Sequence, residues 1–256
     1  MILIIDNYDP YINTLVDLVH SESAEAKMAR NDEITLSEIC EMRPSGIVIS
    51  PTKEGSDVGV SLAAIETFAS IVPILGFGLG YRAICHAFGA TSTDPPENGN
   101  SAVDVSHDGL MLFEGLPDPF PVPVPTEKVL DREDFPTGLE VAAHTENGVI
   151  MGIRHRGFRT EGVQFHPAHV NDKIARTLVQ NWLDTLYDID PDAFAQLDLP
   201  DPEETQETIE EEDDGPDPSA QETMVYDGDM SMYERISAEH EAQQKEEAEE
   251  ERRSDA

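Results

Sequence analysis

The chain has 256 residues, enough for one well-buried α/β domain with appendages and short for two full domains. Its 53 acidic against 16 basic side chains leave a formal net charge of −37, which excludes simple electrostatic binding to nucleic acid or to an anionic membrane surface. Two cysteines, Cys40 and Cys85, supply neither a disulfide framework nor metal-ligand spacing, and neither a metal nor a cofactor is expected.

The apolar run at residues 1–5 (MILII) predicts a buried strand that breaks into a loop at Asp6-Asn7-Tyr8-Asp9-Pro10. Residues 11–20 place Ile12, Leu15, Val16 and Val19 on one helical face. Residues 46–49 form a second buried strand, followed by a loop over Ser50 to Gly55 and a helix over 60–71. A third strand, 73–76, runs through Phe77-Gly78-Leu79-Gly80 into a helix over 81–88. Strands alternating with helices imply parallel strands covered on both faces, with the ligand site at their carboxyl ends, where these loops converge. Residues 90–134, rich in Pro, Gly and Asp, predict short strands and long connections. Residues 139–144 and 149–155 read as a hairpin turned at Glu146-Asn147-Gly148, then comes a strand over 161–165. Ile174, Leu178, Trp182, Leu183 and Leu186 recur at helical spacing and make the last core helix.

Beyond about Asp190 the composition changes, so the folded domain is set at 1–189 and an acidic, largely disordered tail at 190–256. Within the tail, residues 232–253 suit a solvated helix, preceded by an apolar island from Met224 to Ile236. The bland reading is a solubilising tail; the sharper one is a peptide that docks on a partner. The acidity is not confined there. Residues 201–256 hold 22 Asp and Glu against 4 Lys and Arg, leaving 31 against 12 in the first 200. That pattern keeps a protein hydrated where concentrated salt screens self-repulsion. A salt-adapted source is the preferred reading, an acidic surface for a basic partner the alternative. The start lacks a basic segment and a small-residue cleavage site, and no apolar run approaches ~18 residues, so a cytoplasmic protein with no membrane span is expected.

Six segments carry a resemblance: IDNYD (5–9), ISP (49–51), PILGFGLGYRAICHAFGA (73–90), HDGLMLFEGLPDPF (107–120), GVIMGIRHR (148–156) and EGVQFHP (161–167). In order and spacing they resemble the class I glutamine amidotransferase subunits, or component II, of anthranilate synthase and aminodeoxychorismate synthase. The resemblance spans about residues 1–187. It implies a flavodoxin-like domain with a mostly parallel central sheet, a place in tryptophan or folate biosynthesis, and a component I-like large synthase subunit as a possible partner. Such subunits hydrolyse glutamine with a Cys-His-Glu triad and pass ammonia to a chorismate-using partner.

The chemistry needs a cysteine on a sharp strand-to-helix turn, a histidine to favour its thiolate, and a carboxylate to orient that histidine. Where the family reads Gly-x-Cys-x-Gly-His-Gln, this chain has Gly76-Phe77-Gly78-Leu79-Gly80-Tyr81-Arg82, with Gly78 at the nucleophile's position. Glycine reaches positive φ freely, so the turn is expected to survive while the chemistry ends. His166 matches the base, but Ala168 replaces its carboxylate, and His169 reads as a partly exposed loop histidine. The oxyanion loop becomes Ser50-Pro51-Thr52-Lys53-Glu54-Gly55, the glutamine-holding segment becomes Pro121 to Thr126, and the family's Met-His-Gly-Lys becomes Glu97-Asn98-Gly99-Asn100. Thr52, Lys53, Gly76, Leu79, Tyr81 and Arg82 are expected to be remnants of the substrate pocket, with Tyr81, Arg82 and Lys53 suited to a small anion. Cys85 lies about two helical turns beyond Gly78, roughly 10 Å, and reads as a core thiol; Cys40 falls in a short helix away from the loops. The expectation is a pseudoenzyme acting as scaffold or regulator of a synthase. A stand-alone ligand-binding or interaction module is the alternative, and residual amidotransferase activity the second alternative.

Overall fold

The structure is a computed structural model and describes residues 1–22, 24–51, 58–96, 102–123, 128–132, 135–186, 189–197 and 199. Strand β1 (Ile2–Asp6) is buried along its whole length and leads to α1 (Ile12–Ser21), which buries Leu15, Leu18 and Val19. Next come β2 (Ala26–Arg30), α2 (Leu36–Met42), β3 (Gly46–Ile49), α3 (Val60–Phe68), β4 (Ile74–Phe77) and α4 (Leu79–Ala87). The connecting region beyond α4 carries β5 (Ser92–Thr93), β6 (Ala102–His107), β7 (Phe120–Pro123) and β8 (Val129–Leu130). Strands β9 (Leu139–Thr145) and β10 (Ile150–His155) form the expected hairpin, with Gly148 at φ +85° in its turn. Strand β11 (Thr160–Val163), α5 (Asp172–Leu183) and α6 (Pro191–Ala195) complete the described chain.

Among the described residues nine strands make one sheet in the order β2-β1-β3-β4-β11-β10-β9-β6-β7, and β5 pairs with β8 apart from it. The first five run parallel, and the remaining four continue the sheet antiparallel. Interior strands β1, β3, β4 and β11 are buried on both faces, as expected of parallel strands covered by helices. Isoleucines and valines from these strands meet Leu178, Val179 and Trp182 of α5 in the main core. In the antiparallel half, Arg154 Nε lies 3.0 Å from Glu161 Oε1 and its Nη1 3.0 Å from Asp108 Oδ2. Arg154 Nη2 also donates to the Leu110 carbonyl, so one arginine joins two strands to the loop after β6. No described helix is long and apolar enough to cross a membrane.

Two elements went beyond the sequence reading. Strand β2 pairs in register with β1 from Ile2–Ala26 to Asp6–Arg30, yet its residues are half-buried or exposed and show no alternation. Its conformation is imposed by the neighbouring strand, since AKMAR has no strand pattern of its own. Helix α6 falls inside the segment that composition assigns to the tail from 190. Pro191 opens the helix, and Asp190 accepts from the Asp192 N–H at 2.9 Å. Phe194 is buried beside Phe68 at a centroid distance of 6.4 Å, and its carbonyl accepts from Cys40 Sγ. These contacts tie the short stretch to the compact unit, which runs Met1–Leu199. Residues 200–256, including the helix expected near 232–253, lie outside the described residues.

Candidate functional site

The carboxyl ends of β1, β3, β4 and β11 lie side by side, and the direction of strand progression reverses between β1 and β3. That is the switch point at which open α/β sheets place ligands. A buried polar clamp fixes the loops there. The Asn7 N–H donates to Ser50 Oγ and its side-chain amide to the Ser50 carbonyl, both at 2.9 Å. Ser61 Oγ at the start of α3 donates to Asn7 Oδ1 at 2.9 Å, and all three residues are fully buried. The polar side chains this clamp brings inside are all partnered, which makes the loop ends of β1 and β3 rigid.

The three glycines of the next turn serve two purposes. Gly78 caps α4 with φ +54° and ψ −115°, a conformation that L side chains rarely adopt. Its N–H donates to the Val163 carbonyl at 2.9 Å, pinning the turn to β11. A Cβ built there would lie 3.0 Å from Pro51 Cβ, so the β3 loop closes over the place a side chain would occupy. Gly76 and Gly80 instead allow close approach. A Cβ on Gly76 would meet the Gly80 carbonyl at 2.7 Å, and one on Gly80 would run into the Ile49 backbone. These contacts seat the first turn of α4 directly on β4 and β3. The helix therefore begins at Leu79, two residues earlier than its apolar pattern predicts.

The neighbours on α4 separate. Leu79 is half-buried. Tyr81 is fully buried, packs on Gly162, and donates its hydroxyl to the Ile150 carbonyl at 3.2 Å. It is a core residue and lines no open anion pocket, contrary to the sequence reading; burial raises its phenol well above the ordinary range. Arg82 is 3% exposed and its Nη1 donates to the Lys128 carbonyl at 3.0 Å, a carbonyl that also accepts from the Gln164 side chain. Thr52 and Lys53, like Glu97 to Asn100 and Val124 to Thr126, lie outside the described residues. Cys85 is fully buried and desolvation pushes its thiol well up, in keeping with a core position. His86, beside it in sequence, faces Ser92 Oγ at 3.0 Å.

Strand β11 delivers His166, a buried histidine that caps the short 3-10 turn Pro167–His169. Its Nε2 lies 2.9 Å from Asp9 Oδ2, and its Nδ1 accepts from the Ala168 N–H at 2.8 Å. The other Asp9 oxygen accepts from the Tyr11 N–H at 2.9 Å. Asp9 N–H in turn donates to Asp6 Oδ1 at 2.9 Å. The sequence points to His166 and Ala168, but no spacing rule identifies Asp9, 157 residues away, as the partner. Exposed His169 lies edge-on to Tyr11, with ring centroids 4.8 Å apart, and 5.2 Å from the His166 ring. His169 also borders an open apolar groove of about 570 Å³ between β7 and α5, lined by Leu116, Phe120, Val122, Val170 and Ile174. Among the described residues no group of three or more His, Cys, Asp or Glu side chains is placed to hold a metal ion.

An open sheet of this order, a strand-to-helix elbow at the end of β4 and a histidine loop at the end of β11 define an amidotransferase-type α/β domain. The sequence pattern of glutamine amidotransferase class-I matches residues 3–186, and the chain belongs to that family. It is 42% identical over 186 residues to aminodeoxychorismate synthase component 2 of Klebsiella aerogenes, covering 72% of this chain and 99% of that one. It is also 37% identical over 188 residues to the aminodeoxychorismate/anthranilate synthase component 2 of Bacillus subtilis, covering 72% and 96%. Among solved structures, a Thermoplasma acidophilum protein assigned to a GMP synthase superposes with a TM-score of 0.62 at 22% identity, over 72% of this chain and 92% of that one. That likeness concerns the fold.

Proposed function

We propose that this chain is a component 2-type amidotransferase subunit that has given up glutamine hydrolysis and acts as a scaffold or regulatory partner of a chorismate-using synthase. The observation that carries the reading is Gly78. It occupies the elbow with positive φ, pinned by Val163 and covered by Pro51, and it offers no atom to attack an amide carbon. The alternatives nearby do not replace it. Cys85 is buried in the core with a raised thiol pKa, and a histidine cannot take over as nucleophile from His166's position as base. The carboxylate expected at 168 is an alanine methyl. Against these losses, the elbow glycines, the Asn7 clamp and the covered sheet remain well packed, which supports selection for a folded body with surfaces to offer.

The partner reading rests on relatives that are themselves synthase components. In this reading the synthase takes free ammonia or the product of another amidotransferase. Pull-down of the tagged full-length chain from its own source in concentrated salt tests it. Recovery of a large synthase subunit in stoichiometric amount is the expected result, and its absence in the presence of soluble large subunit contradicts it.

A further inference from the structure

The contacts of His166 carry one step more. Its Nδ1 lies 2.8 Å from the Ala168 nitrogen, and a backbone amide can only donate, so Nδ1 must hold a lone pair. The ring proton then belongs to Nε2, which lies 2.9 Å from Asp9 Oδ2, an acceptor. Both partners demand the same tautomer, and the pair is deeply buried, with side-chain exposures of 8% for His166 and 1% for Asp9. Asp9 is itself held by the Tyr11 N–H, so its carboxylate is aimed and not merely nearby.

We propose that Asp9 is the carboxylate that positions His166, from the side opposite residue 168, and that it holds the imidazole in the Nε2–H form, with the Nδ1 lone pair engaged by the Ala168 N–H and neither nitrogen free to act as the base. This deepens the reading above and rests on residues 78 and 166–168 standing at the amidotransferase positions. Its consequence is distinct: the site is silent for a second reason, independent of Gly78. A carboxylate at 168 would accept a hydrogen bond from Nδ1–H and leave the lone pair on Nε2, the base. Alanine at 168 leaves only its backbone N–H, which enforces the reverse. Holding a catalytic histidine in the wrong tautomer is severe, about 10⁴-fold in kcat where an orienting aspartate becomes an amide. Asp9 acts through His166 and is a positioning residue; the pair also ties the loop after β1 to the loop after β11.

The test reads the imidazole directly. Long-range proton–nitrogen correlation spectra of the full-length, nitrogen-15 histidine-labelled protein, with His166 assigned by its loss in His166→Gln, should show a protonated Nε2 and an unprotonated Nδ1. Asp9→Asn should move the Nε2 signal of His166 and leave histidines remote from Asp9 unchanged. A protonated Nδ1 in the unmodified protein overturns the proposal. A second arm uses Gly78→Cys, alkylated with iodoacetamide while Cys40 and Cys85 are scored separately by mass. With His166 locked, the rate at residue 78 rises about tenfold per pH unit below the ordinary thiol range near 8.5. A rate that stays flat with pH from about 6 upward, and becomes steep in Gly78→Cys/His166→Gln, marks a thiolate–imidazolium pair and also overturns it. Ammonia release from glutamine by the unmodified protein would sink the inactive-subunit reading whatever the imidazole shows. A protonated Nδ1 without ammonia release would sink only this proposal.

Discussion

Gly80→Ala isolates the close approach that seats α4. Gly80 has helical backbone, so alanine brings no φ penalty, and in a helix it should stabilise by about 0.5–1 kcal/mol. Its Cβ, however, would run into the Ile49 carbonyl oxygen and lie 2.8 Å from both the Ile49 carbonyl carbon and Ile49 Cγ2. Ordinary carbon contacts fall at about 3.5–4.0 Å, so the helix must back away from β3 by roughly 1 Å. Two of the three atoms are backbone in a buried strand, which cannot yield as a side-chain end does. Overpacking of this kind costs about 1–3 kcal/mol, and here the upper end applies, for a net loss of about 2 kcal/mol. Urea unfolding in concentrated potassium chloride measures it. With a slope of about 1–3 kcal/mol/M the midpoint should fall by on the order of 1 M, the slope itself unchanged. Gly89→Ala is the control: it has φ +86° with nothing within 4 Å of a built Cβ, so only backbone strain of about 1 kcal/mol is expected. Unfolding of Gly80→Ala at or above the parent's urea concentration would refute this account of how the elbow is held.

Three further outcomes follow from charge and burial. With a formal net charge of −37, thermal stability should rise when potassium chloride goes from about 0.1 M to about 3 M, where the screening length shrinks from ~10 Å to below ~3 Å; a melting temperature that falls or stays level contradicts salt adaptation. Dithionitrobenzoate should leave Cys85 unlabelled in the folded protein and react with it promptly in denaturant, because the thiol is fully buried and its pKa is raised. Burial outweighs the Arg154 contacts and raises the Glu161 carboxyl above its ordinary value. The native state therefore binds this proton more tightly than the unfolded chain, so the carboxyl's contribution to stability is fully present at acid pH and is lost as pH rises through its folded value. Glu161→Gln should flatten that part of the stability profile, read as urea midpoints between about pH 4 and 7; an unchanged profile would show that another group sets it.

Much of the parallel half was legible because its strands are continuous apolar runs punctuated by Asp, Pro and Gly. The hairpin announced itself through Asn147-Gly148. The elbow was legible through the resemblance of Gly76 to Gly80 to the family's Gly-x-Cys-x-Gly turn, because glycine spacing between a strand and a helix is a weak signal alone. Two signals lay in the sequence unread. Thr35 and Glu38 form a capping box at α2, with the Thr35 N–H donating to Glu38 Oε2 at 2.9 Å, and Phe194 was the one large aromatic soon after Pro191. Strand β2 and the Asp9–His166 pair were not legible in the same way. Each depends on what the folded sheet brings alongside, a strand edge in one case and a loop from the other end of the domain in the other. Tyr81 illustrates the converse: a position inferred from motif alignment to face the substrate turns out to be filled by core packing.

The most direct measurement is ammonia release from glutamine by the full-length chain in concentrated salt, alone and with a purified large synthase subunit. The account predicts no release above a protein-free control in either case, while the synthase turns over with free ammonium. Steady release that co-purifies with the chain and disappears in His166→Ala would contradict it.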